Sequence, residues 1–235
     1  MSENNGIFSQ FCNLTPALLD CDLHIHTLAT DGKASVREVI VHAEKIGLRR
    51  IAFTEHVRAD SEWFFKFADD VRELGRQTKV TVLVGCEARI LDNKGTLDIT
   101  DTIRRECDVV LGSVHRFPDS TGGYLAFSEV PAQEFAQIEF ELALGFLKHG
   151  HGDVLAHPGG MSIKFGYGFP NGLLKQLMRK ACERGIAIEL NSSYISNVYD
   201  FCSLAREENP LISIGSDVHK IDELGQCRNI LKDIL

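Results

Sequence analysis

The segment DCDLHIHTLATDG, residues 20–32, ends an apolar run with His24 and His26 and follows them closely with Asp31. Alternate residues of a β-strand point to the same side of the sheet, so both imidazoles are expected to project together. Such a pair suits a metal ion, but a single H-x-H motif is a weak signal. Whether this motif indicates a metal site depends on further candidate ligands elsewhere in the chain.

Histidines and acids recur at the ends of the predicted strands. The chain has nine histidines. Six of them end such strands: His24, His26, His56, His115, His157 and His219. Glu87 closes VTVLVGCE, and Asp217 precedes His219 by two residues, which repeats the spacing of the first pair. The C-terminal ends of parallel strands open on one face in an α/β fold, so these groups are expected to converge.

The pattern predicts a multinuclear metal site. Its candidate ligands are His24, His26, Asp31, His56, Glu87, His115, His157, Asp217 and His219. Imidazole and carboxylate ligands without thiolate favour Zn²⁺, Mn²⁺ or Fe. One tetrahedral ion needs only three or four protein ligands, so this set predicts two or three divalent transition-metal ions bridged by carboxylates. Asp31 is included because Ser35 already caps the helix that follows it.

The other histidines and the nearest cysteine are predicted to play no part in the metal site. His42 lies in the middle of a predicted helix, and His149 and His151 lie in the connection KHGHGD. Cys86 adjoins Glu87 on the same strand, so its side chain should point to the opposite face, into the core.

Short apolar runs alternate with helical segments along the chain. The predicted strands are Cys21–His26, Arg50–Thr54, Val80–Glu87, Val109–Val114, Val154–Ala156, Ala187–Asn191 and Leu211–Gly215. Helices are predicted around SVREVIVHAEKIG and at Ser61–Gln77, Pro131–His149, Leu173–Arg184 and Asp222–Leu235. This alternation predicts a parallel sheet with right-handed crossovers. The pattern does not separate a closed barrel from an open doubly wound sheet, although no nucleotide-binding glycine motif follows the first strand.

Composition limits the class of protein. The 235 residues suit one domain over 1–235, with residues 1–15 as a peripheral segment. No apolar run is long enough to span a membrane, and the N-terminus lacks the pattern of a secretory signal. Seven dispersed cysteines without a C-x-x-C pair predict reduced thiols and a cytoplasmic location. The net charge of −8 argues against stable nucleic-acid binding but allows a small anionic substrate. The oligomeric state stays open.

The motifs DLHIHTLATDG, AFTEH, GCE, GSVH, AHP and GSDVH resemble, in this order, those of the PHP superfamily, named for polymerase and histidinol phosphatase. The match runs from Asp20 to about His219, nearly the whole chain. The resemblance implies a distorted (β/α)7 barrel with a trinuclear metal centre at the C-terminal mouth of its strands.

The same resemblance implies how the ligands divide among the ions. His24, His26 and Asp217 would hold one metal, and Glu87 would bridge it to a second. His115 and His157 would complete the second site. His56 and His219 would hold the third ion; some members add a histidine just after the first motif, which TLATDG lacks, and Asp31 lies nearby instead.

Adjacent divalent ions suggest hydrolysis of a phosphate ester. Such ions lower the pKa of bound water and neutralise phosphoryl oxygens in the transition state. The residues predicted to be catalytic are therefore Asp217, His219 and Glu87. Asp217, His219 or a second water could protonate the leaving alkoxide, and the sequence does not choose among them.

Cations beyond the metals are expected to bind the substrate phosphate. Arg58, Arg89 and Arg116 each lie one or two residues after a candidate ligand. Lys164 lies in the glycine-rich loop GGMSIKFGYGFPNG, a candidate lid, and Asn191 ends a predicted strand. These five residues are predicted to contact the substrate or, for Asn191, a bound water.

The sequence is consistent with three different functions. The stand-alone length and the acidic charge favour a small-molecule phosphomonoesterase of the histidinol-phosphatase type. A phosphodiesterase or exonuclease that acts on nucleic-acid ends or cyclic phosphates is the alternative enzyme. A regulatory domain that binds metal without catalysis is the third hypothesis, and the complete ligand set argues against it.

Overall fold

Eight strands form a single sheet in the computed structural model, which describes residues 6–119, 121–195 and 197–234. The strands are β1 Ser9–Gln10, β2 Cys21–Ile25, β3 Arg50–Val57, β4 Thr81–Arg89, β5 Val109–Ser113, β6 Val154–Leu155, β7 Ala187–Asn191 and β8 Leu211–Gly215. Their spatial order is β1-β8-β7-β6-β5-β4-β3-β2. Neighbours from β2 to β8 run parallel, and only β1 is antiparallel to its neighbour β8.

The sheet curls until its first and last parallel strands approach each other. An isolated parallel bridge joins Ile25, at the end of β2, to Val218, just after β8. The amide of His26 donates to the Val218 carbonyl at 2.9 Å, and the Val218 amide donates to the His24 carbonyl at 3.0 Å. The pairing is therefore not continuous around the ring, as expected of a distorted barrel with seven parallel strands. The predicted fold is confirmed.

Helices on the outside connect the strands. Their bounds are α1 Val36–Ile46, α2 Trp63–Gly75, α3 Asp101–Glu106, α4 Ala132–His149, α5 Gly160–Lys164, α6 Asn171–Arg184, α7 Val198–Glu208 and α8 Gln226–Lys232. Ser35 caps α1, as the sequence predicts, and forms a capping box with Glu38; Gly47 ends α1 with a left-handed φ of 75°. In the part of the chain that the structure describes, no helix is long and apolar enough to cross a membrane.

Alternation along β4 separates the core from the barrel interior. Val84, Cys86 and Ala88 are fully buried in an apolar cluster that includes side chains of α1 and α2. Glu87 lies between two of them and points to the opposite side. The prediction that Cys86 belongs to the core is thus confirmed. The predicted peripheral segment also contributes to the core, because Phe8 and Phe11 are buried beside the β1–β8 pair.

Candidate metal centre

Glu87 lies at the centre of a ring of imidazoles. Its Oε1 is 2.8 Å from His157 Nε2 and 3.0 Å from His115 Nε2. Its Oε2 is 2.8 Å from His56 Nδ1, 3.5 Å from His26 Nε2 and 3.6 Å from His24 Nε2. The strand ends therefore bring together five of the predicted histidine ligands around one buried carboxylate.

Asp217 faces the His24–His26 pair from the other side. Its Oδ1 is 3.2 Å from His26 Nε2 and 3.5 Å from His24 Nε2. Asp217 and His157 both have positive φ, 52° and 28°. Such a backbone costs roughly 1–3 kcal/mol for a residue other than glycine and is concentrated at functional sites. The chain thus keeps these two side chains in place despite an unfavourable backbone conformation.

A second group of ligand atoms surrounds Asp31. Its Oδ2 is 3.3 Å from His219 Nε2 and 3.4 Å from His56 Nε2, and its Oδ1 is 3.9 Å from His26 Nδ1. The Asp31 side chain is half exposed, so this group lies nearer to solvent than the group around Glu87. Asp31 therefore joins the two histidines that the resemblance assigns to a third ion.

Among the residues that the structure describes, four buried ligand atoms take part in no hydrogen bond, although Glu87 Oε2 lies close to His56 Nδ1: His24 Nε2, His26 Nδ1, His26 Nε2 and Glu87 Oε2. Leaving a buried polar atom unpaired costs about 1–3 kcal/mol, so a cluster of them calls for a missing partner. Ligand atoms on one tetrahedral ion with bonds of about 2.0–2.2 Å lie roughly 3.3–3.6 Å apart. The distances of 3.2–3.6 Å from His24 and His26 to the carboxylates are of this size. A cation of the Zn²⁺, Mn²⁺ or Fe class fits the donor set.

Glu189 fixes the orientation of the ligands from behind. Its carboxylate accepts from His24 Nδ1 at 2.7 Å, from the His157 amide at 2.7 Å and from Asn191 Nδ2 at 3.0 Å. An imidazole that donates one nitrogen to a carboxylate presents the other to a metal, a common arrangement in metal sites. The backbone carbonyl of Asp217 accepts a hydrogen bond from His219 Nδ1 at 2.9 Å and orients that imidazole in the same way.

Charge in the cluster moves the pKa values strongly. Burial alone would raise the pKa of Glu87, but the imidazoles of His115 and His24 hold it well below its ordinary value. Burial likewise opposes ionisation of Asp217, yet His24 and His26 keep its pKa low. Burial lowers the pKa of His26 to about 4. Burial also disfavours charge on His24, His56 and His157, but the neighbouring carboxylates of Glu87 and Glu189 raise the pKa of these imidazoles. The ionised carboxylates and the neutral His26 already have the protonation state that metal binding requires, whereas these three imidazoles would release protons as a cation binds.

A cavity of about 560 Å³ opens above the cluster. Arg58, Arg89, Arg116 and Lys164, all predicted to bind the substrate, line it. Arg89 pairs with Asp98 at 2.7 Å. The Arg116 guanidinium lies 5.7 Å from the ring centre of Phe127.

Asn191 does not line this cavity. It is buried behind the cluster, in a smaller cavity, where its Oδ1 accepts from the Ser193 amide at 2.9 Å. Its other hydrogen bond, to Glu189, places it among the groups that hold the ligands rather than beside a substrate. His42, His149 and His151 have no contact with the cluster in the described parts of the chain.

A sequence model of the PHP domain family matches residues 22–193, about three quarters of the chain. The protein belongs to the PHP family. The matched range contains the candidate ligands from His24 to His157, and Asp217 and His219 lie beyond it.

Several bacterial proteins are similar to this PHP protein over most of their length. A probable phosphatase of Clostridium novyi is 28% identical over 89% of this chain and 82% of its own. A probable phosphatase of Edwardsiella ictaluri is also 28% identical, over 91% of this chain and 85% of its own. The comparisons confirm the predicted family and the prediction of an enzyme of the phosphoesterase class.

Two solved structures are similar to this chain in fold. One, from Listeria monocytogenes, carries the provisional name histidinol phosphatase hisK. It has a TM-score of 0.63 and 14% identity, over 88% of this chain and 97% of that one. A chain of an archaeal ribonuclease P, solved with mature tRNA, has a TM-score of 0.50 and 15% identity, over 86% of this chain and 76% of that one. At these identities the likeness concerns the fold alone.

Tyr194 is a residue of the site that sequence reasoning missed. It follows β7 in the segment NSSY and lines the cavity, and its ring centre lies 4.8 Å from that of His157. Burial, followed by the charge of Asp217 and a hydrogen bond to it, raises the pKa of Tyr194. The phenol therefore stays protonated and donates toward the Asp217 carboxylate. A tyrosine in an irregular segment carries no spacing signal that could have identified it.

Proposed function

We propose that this PHP protein is a metal-dependent phosphatase that hydrolyses a phosphomonoester of a small molecule. The observation that carries the proposal is the group of unpaired buried nitrogen and carboxylate atoms around Glu87, directly below an open cavity lined with cations. Buried polar atoms of this kind are stabilised by a bound cation, and the cationic walls suit an anionic substrate.

The ligands divide among the ions as the family resemblance implies. His24, His26 and Asp217 would hold one ion, His115 and His157 would hold a second, and Glu87 would be a ligand shared by both. The proximity of Asp31 to His56 and His219 supports all three as ligands of a third ion. Two or three ions of Zn²⁺, Mn²⁺ or Fe are the proposed cofactors.

When bound, the metal ions would supply an activated water and neutralise charge on the phosphoryl oxygens. The chain supplies the remaining functions. Glu87 holds the ligands at a fixed separation, and Arg116 orients the phosphoryl group at the mouth. His219 is the proposed proton donor to the leaving oxygen when the third ion is absent, and Asp217, whose carboxylate is ionised, acts as a ligand beside it. The His219 side chain is about one third exposed and both residues line the cavity, so they can contact a substrate.

A small substrate agrees with the size of the cavity and with the charge of the chain. Pockets of about 300–1,000 Å³ typically enclose small ligands. The net charge of −8 works against binding of a long nucleic-acid backbone. These two features rank a phosphomonoester above a nucleic-acid diester.

The test is hydrolysis by metal-loaded protein of p-nitrophenyl phosphate, bis-p-nitrophenyl phosphate, labelled single-stranded DNA and a panel of phosphorylated metabolites that includes histidinol phosphate. We expect turnover of the monoesters to be at least tenfold faster than that of the diester and of DNA. Preference for the diester or DNA would replace it with the phosphodiesterase. Inertness toward the whole panel, with metal present by elemental analysis, would leave the regulatory domain.

A further inference from the structure

The cavity above the metal centre contains cations that have no carboxylate partner among the described residues. Arg58, Arg116 and Lys164 line it, and all three are exposed. Within residues 6–119, 121–195 and 197–234, none of these three side chains forms an ion pair with a carboxylate. Arg89, in the same cavity, is by contrast neutralised by Asp98 at 2.7 Å.

Elsewhere the chain pairs many of its cations. Arg72 pairs with Glu106 at 2.8 Å, Arg104 with Asp153 at 2.9 Å and Arg179 with Glu208 at 2.8 Å. In a protein of net charge −8, carboxylates are abundant. Three unpaired cations along one cavity are therefore a local excess of positive charge, and they raise the potential where a ligand enters.

The acids of the cavity do not offset this excess. Within the described parts of the chain, the only carboxylates that line it are Asp31, Glu87 and Asp217. All three are proposed metal ligands, and two divalent ions alone would outweigh their charge. A single phosphate dianion, held by the ions and Arg116, would leave Arg58 and Lys164 uncompensated.

We infer, resting on the proposed function, that the physiological substrate is a small phosphate ester that carries a second anionic group. Arg58 and Lys164 bind that second group, either a carboxylate or another phosphate, while Arg116 and the metal ions bind the phosphate that is cleaved. Arg58 begins the connection after β3 and Lys164 ends α5, so two separate elements contribute to the subsite. Guanidinium and ammonium groups both form strong charge-assisted hydrogen bonds to such anions.

The inference is tested by comparing esters that differ in one anionic group. One pair is glycerol 3-phosphate and 3-phosphoglycerate, in which a carboxylate replaces the terminal hydroxymethyl group of the three-carbon chain. The other pair is fructose 6-phosphate and fructose 1,6-bisphosphate, which carries one phosphate more. We expect kcat/KM to be at least tenfold higher for the doubly anionic member of one pair, and that pair identifies the second group. A ratio below tenfold in both pairs, with the monoesters still hydrolysed, overturns the inference and leaves the proposed function standing.

Substitutions test whether Arg58 and Lys164 cause the preference for a doubly anionic ester. In the double variant Arg58→Ala/Lys164→Ala, the ratio of kcat/KM between the two members of the preferred pair should fall at least tenfold. The matched controls Arg37→Ala and Lys45→Ala remove the same charges from the exposed face of α1, away from the cavity, and should leave the ratio unchanged. An unchanged ratio in the double variant would show that Arg58 and Lys164 do not bind the second anionic group.

Binding of ligands that cannot be hydrolysed tests the second-anion subsite independently of the proposed phosphatase activity. Calorimetry on the metal-loaded protein would compare 3-phosphonopropionate and propane-1,3-bisphosphonate with propylphosphonate, none of which can be hydrolysed. We expect one of the two doubly anionic ligands to bind the wild type at least tenfold more tightly than propylphosphonate and to lose this advantage in the double variant. If no phosphate ester is hydrolysed, the proposed function fails, whereas equal binding of all three phosphonates refutes the second-anion subsite.

Discussion

At the scale of single residues, Glu87 is the side chain on which the proposed site depends most. Glu87→Gln keeps the size of the side chain but removes the charge that faces five imidazoles. We expect turnover to be nearly abolished and at least one ion per chain to be lost, because a neutral amide is a poor bridging ligand. Elemental analysis and single-turnover hydrolysis would measure both effects.

A pair of histidine variants provides the control for Glu87→Gln. His115→Ala should lose one metal, with activity falling by orders of magnitude, whereas His151→Ala, at an exposed position beyond α4, should keep kcat within a few-fold of wild type. Full activity in Glu87→Gln, or equal losses in the two histidine variants, would mean that the site lies elsewhere.

Tyr194 is predicted to position Asp217. Tyr194→Phe keeps the aromatic ring beside His157 and removes only the phenol that donates toward the carboxylate. Loss of such an outer partner typically lowers metal affinity or activity by about 10–100-fold. Competition titration with Mn²⁺ and steady-state kinetics would measure the effect, with Tyr199→Phe, which is 68% exposed, as the control. Wild-type values in both measurements would reduce Tyr194 to a packing residue.

At the scale of elements, a buried acid connects α4 to the loop that follows His157. Glu139 accepts from the Met161 amide at 3.0 Å and from the amide and hydroxyl of Ser162, which fixes the start of α5. In Glu139→Gln an NH₂ group would replace one accepting oxygen. We expect a loss of about 1–3 kcal/mol in the free energy of unfolding. Chemical denaturation would measure it, against Glu134→Gln on the exposed face of the same helix.

The loss in free energy of unfolding caused by Glu139→Gln should also depend on pH. Burial raises the pKa of Glu139 above its unfolded value, so this group stabilises the fold most at low pH and less as the pH rises through its folded pKa. The variant lacks this term, and its deficit relative to wild type should therefore shrink with rising pH. A deficit that grows with pH would contradict the assignment.

The sequence predicted long elements better than short ones. β7 and β8 have the predicted bounds, since each is an apolar run closed by a polar residue or glycine. α3 and α5, with six and five residues, are too short to show a helical apolar stripe. α7 was missed because it follows a stretch rich in serine and asparagine, although Asn197 caps it by accepting from the Tyr199 amide at 3.0 Å.

The residues of the candidate site were likewise only partly predictable from the sequence. The candidate ligands could be predicted because histidines and acids at the ends of apolar strands are unusual. Glu189 and Glu139 could not be assigned a role, because their partners are distant in the sequence; His24 and Glu189 are 165 residues apart. An acid within a buried strand or an apolar helix face does indicate that some partner exists, since its burial is otherwise costly.

At the scale of the whole molecule, thiol accessibility tests the packing. Cys12 and Cys182 are exposed, Cys107 is intermediate, and Cys21, Cys86, Cys202 and Cys227 are buried. Burial raises the pKa of Cys21 to about 12, which suppresses its reactive thiolate. We expect two thiols to react quickly with Ellman's reagent at pH 8 in native protein and seven after denaturation. Four or more fast thiols in the native protein would contradict the packing of the core.

Metal removal should destabilise the whole fold, because the proposed ligands come from strands all around the barrel. Without cations, the unpaired nitrogen and oxygen atoms around Glu87 stay buried and unsatisfied. An ion present at a hundred times its Kd adds about 2.7 kcal/mol to the stability of the native state. For a chain of this length, that corresponds to about 5–10 °C in Tm for each site. Calorimetry should show this fall after EDTA treatment and its reversal on adding Mn²⁺ or Zn²⁺. The double variant His115→Ala/His157→Ala should show a smaller shift, because it retains fewer ligands. If EDTA removed the metal from wild-type protein without changing Tm, the ions would not bind at the ends of the strands.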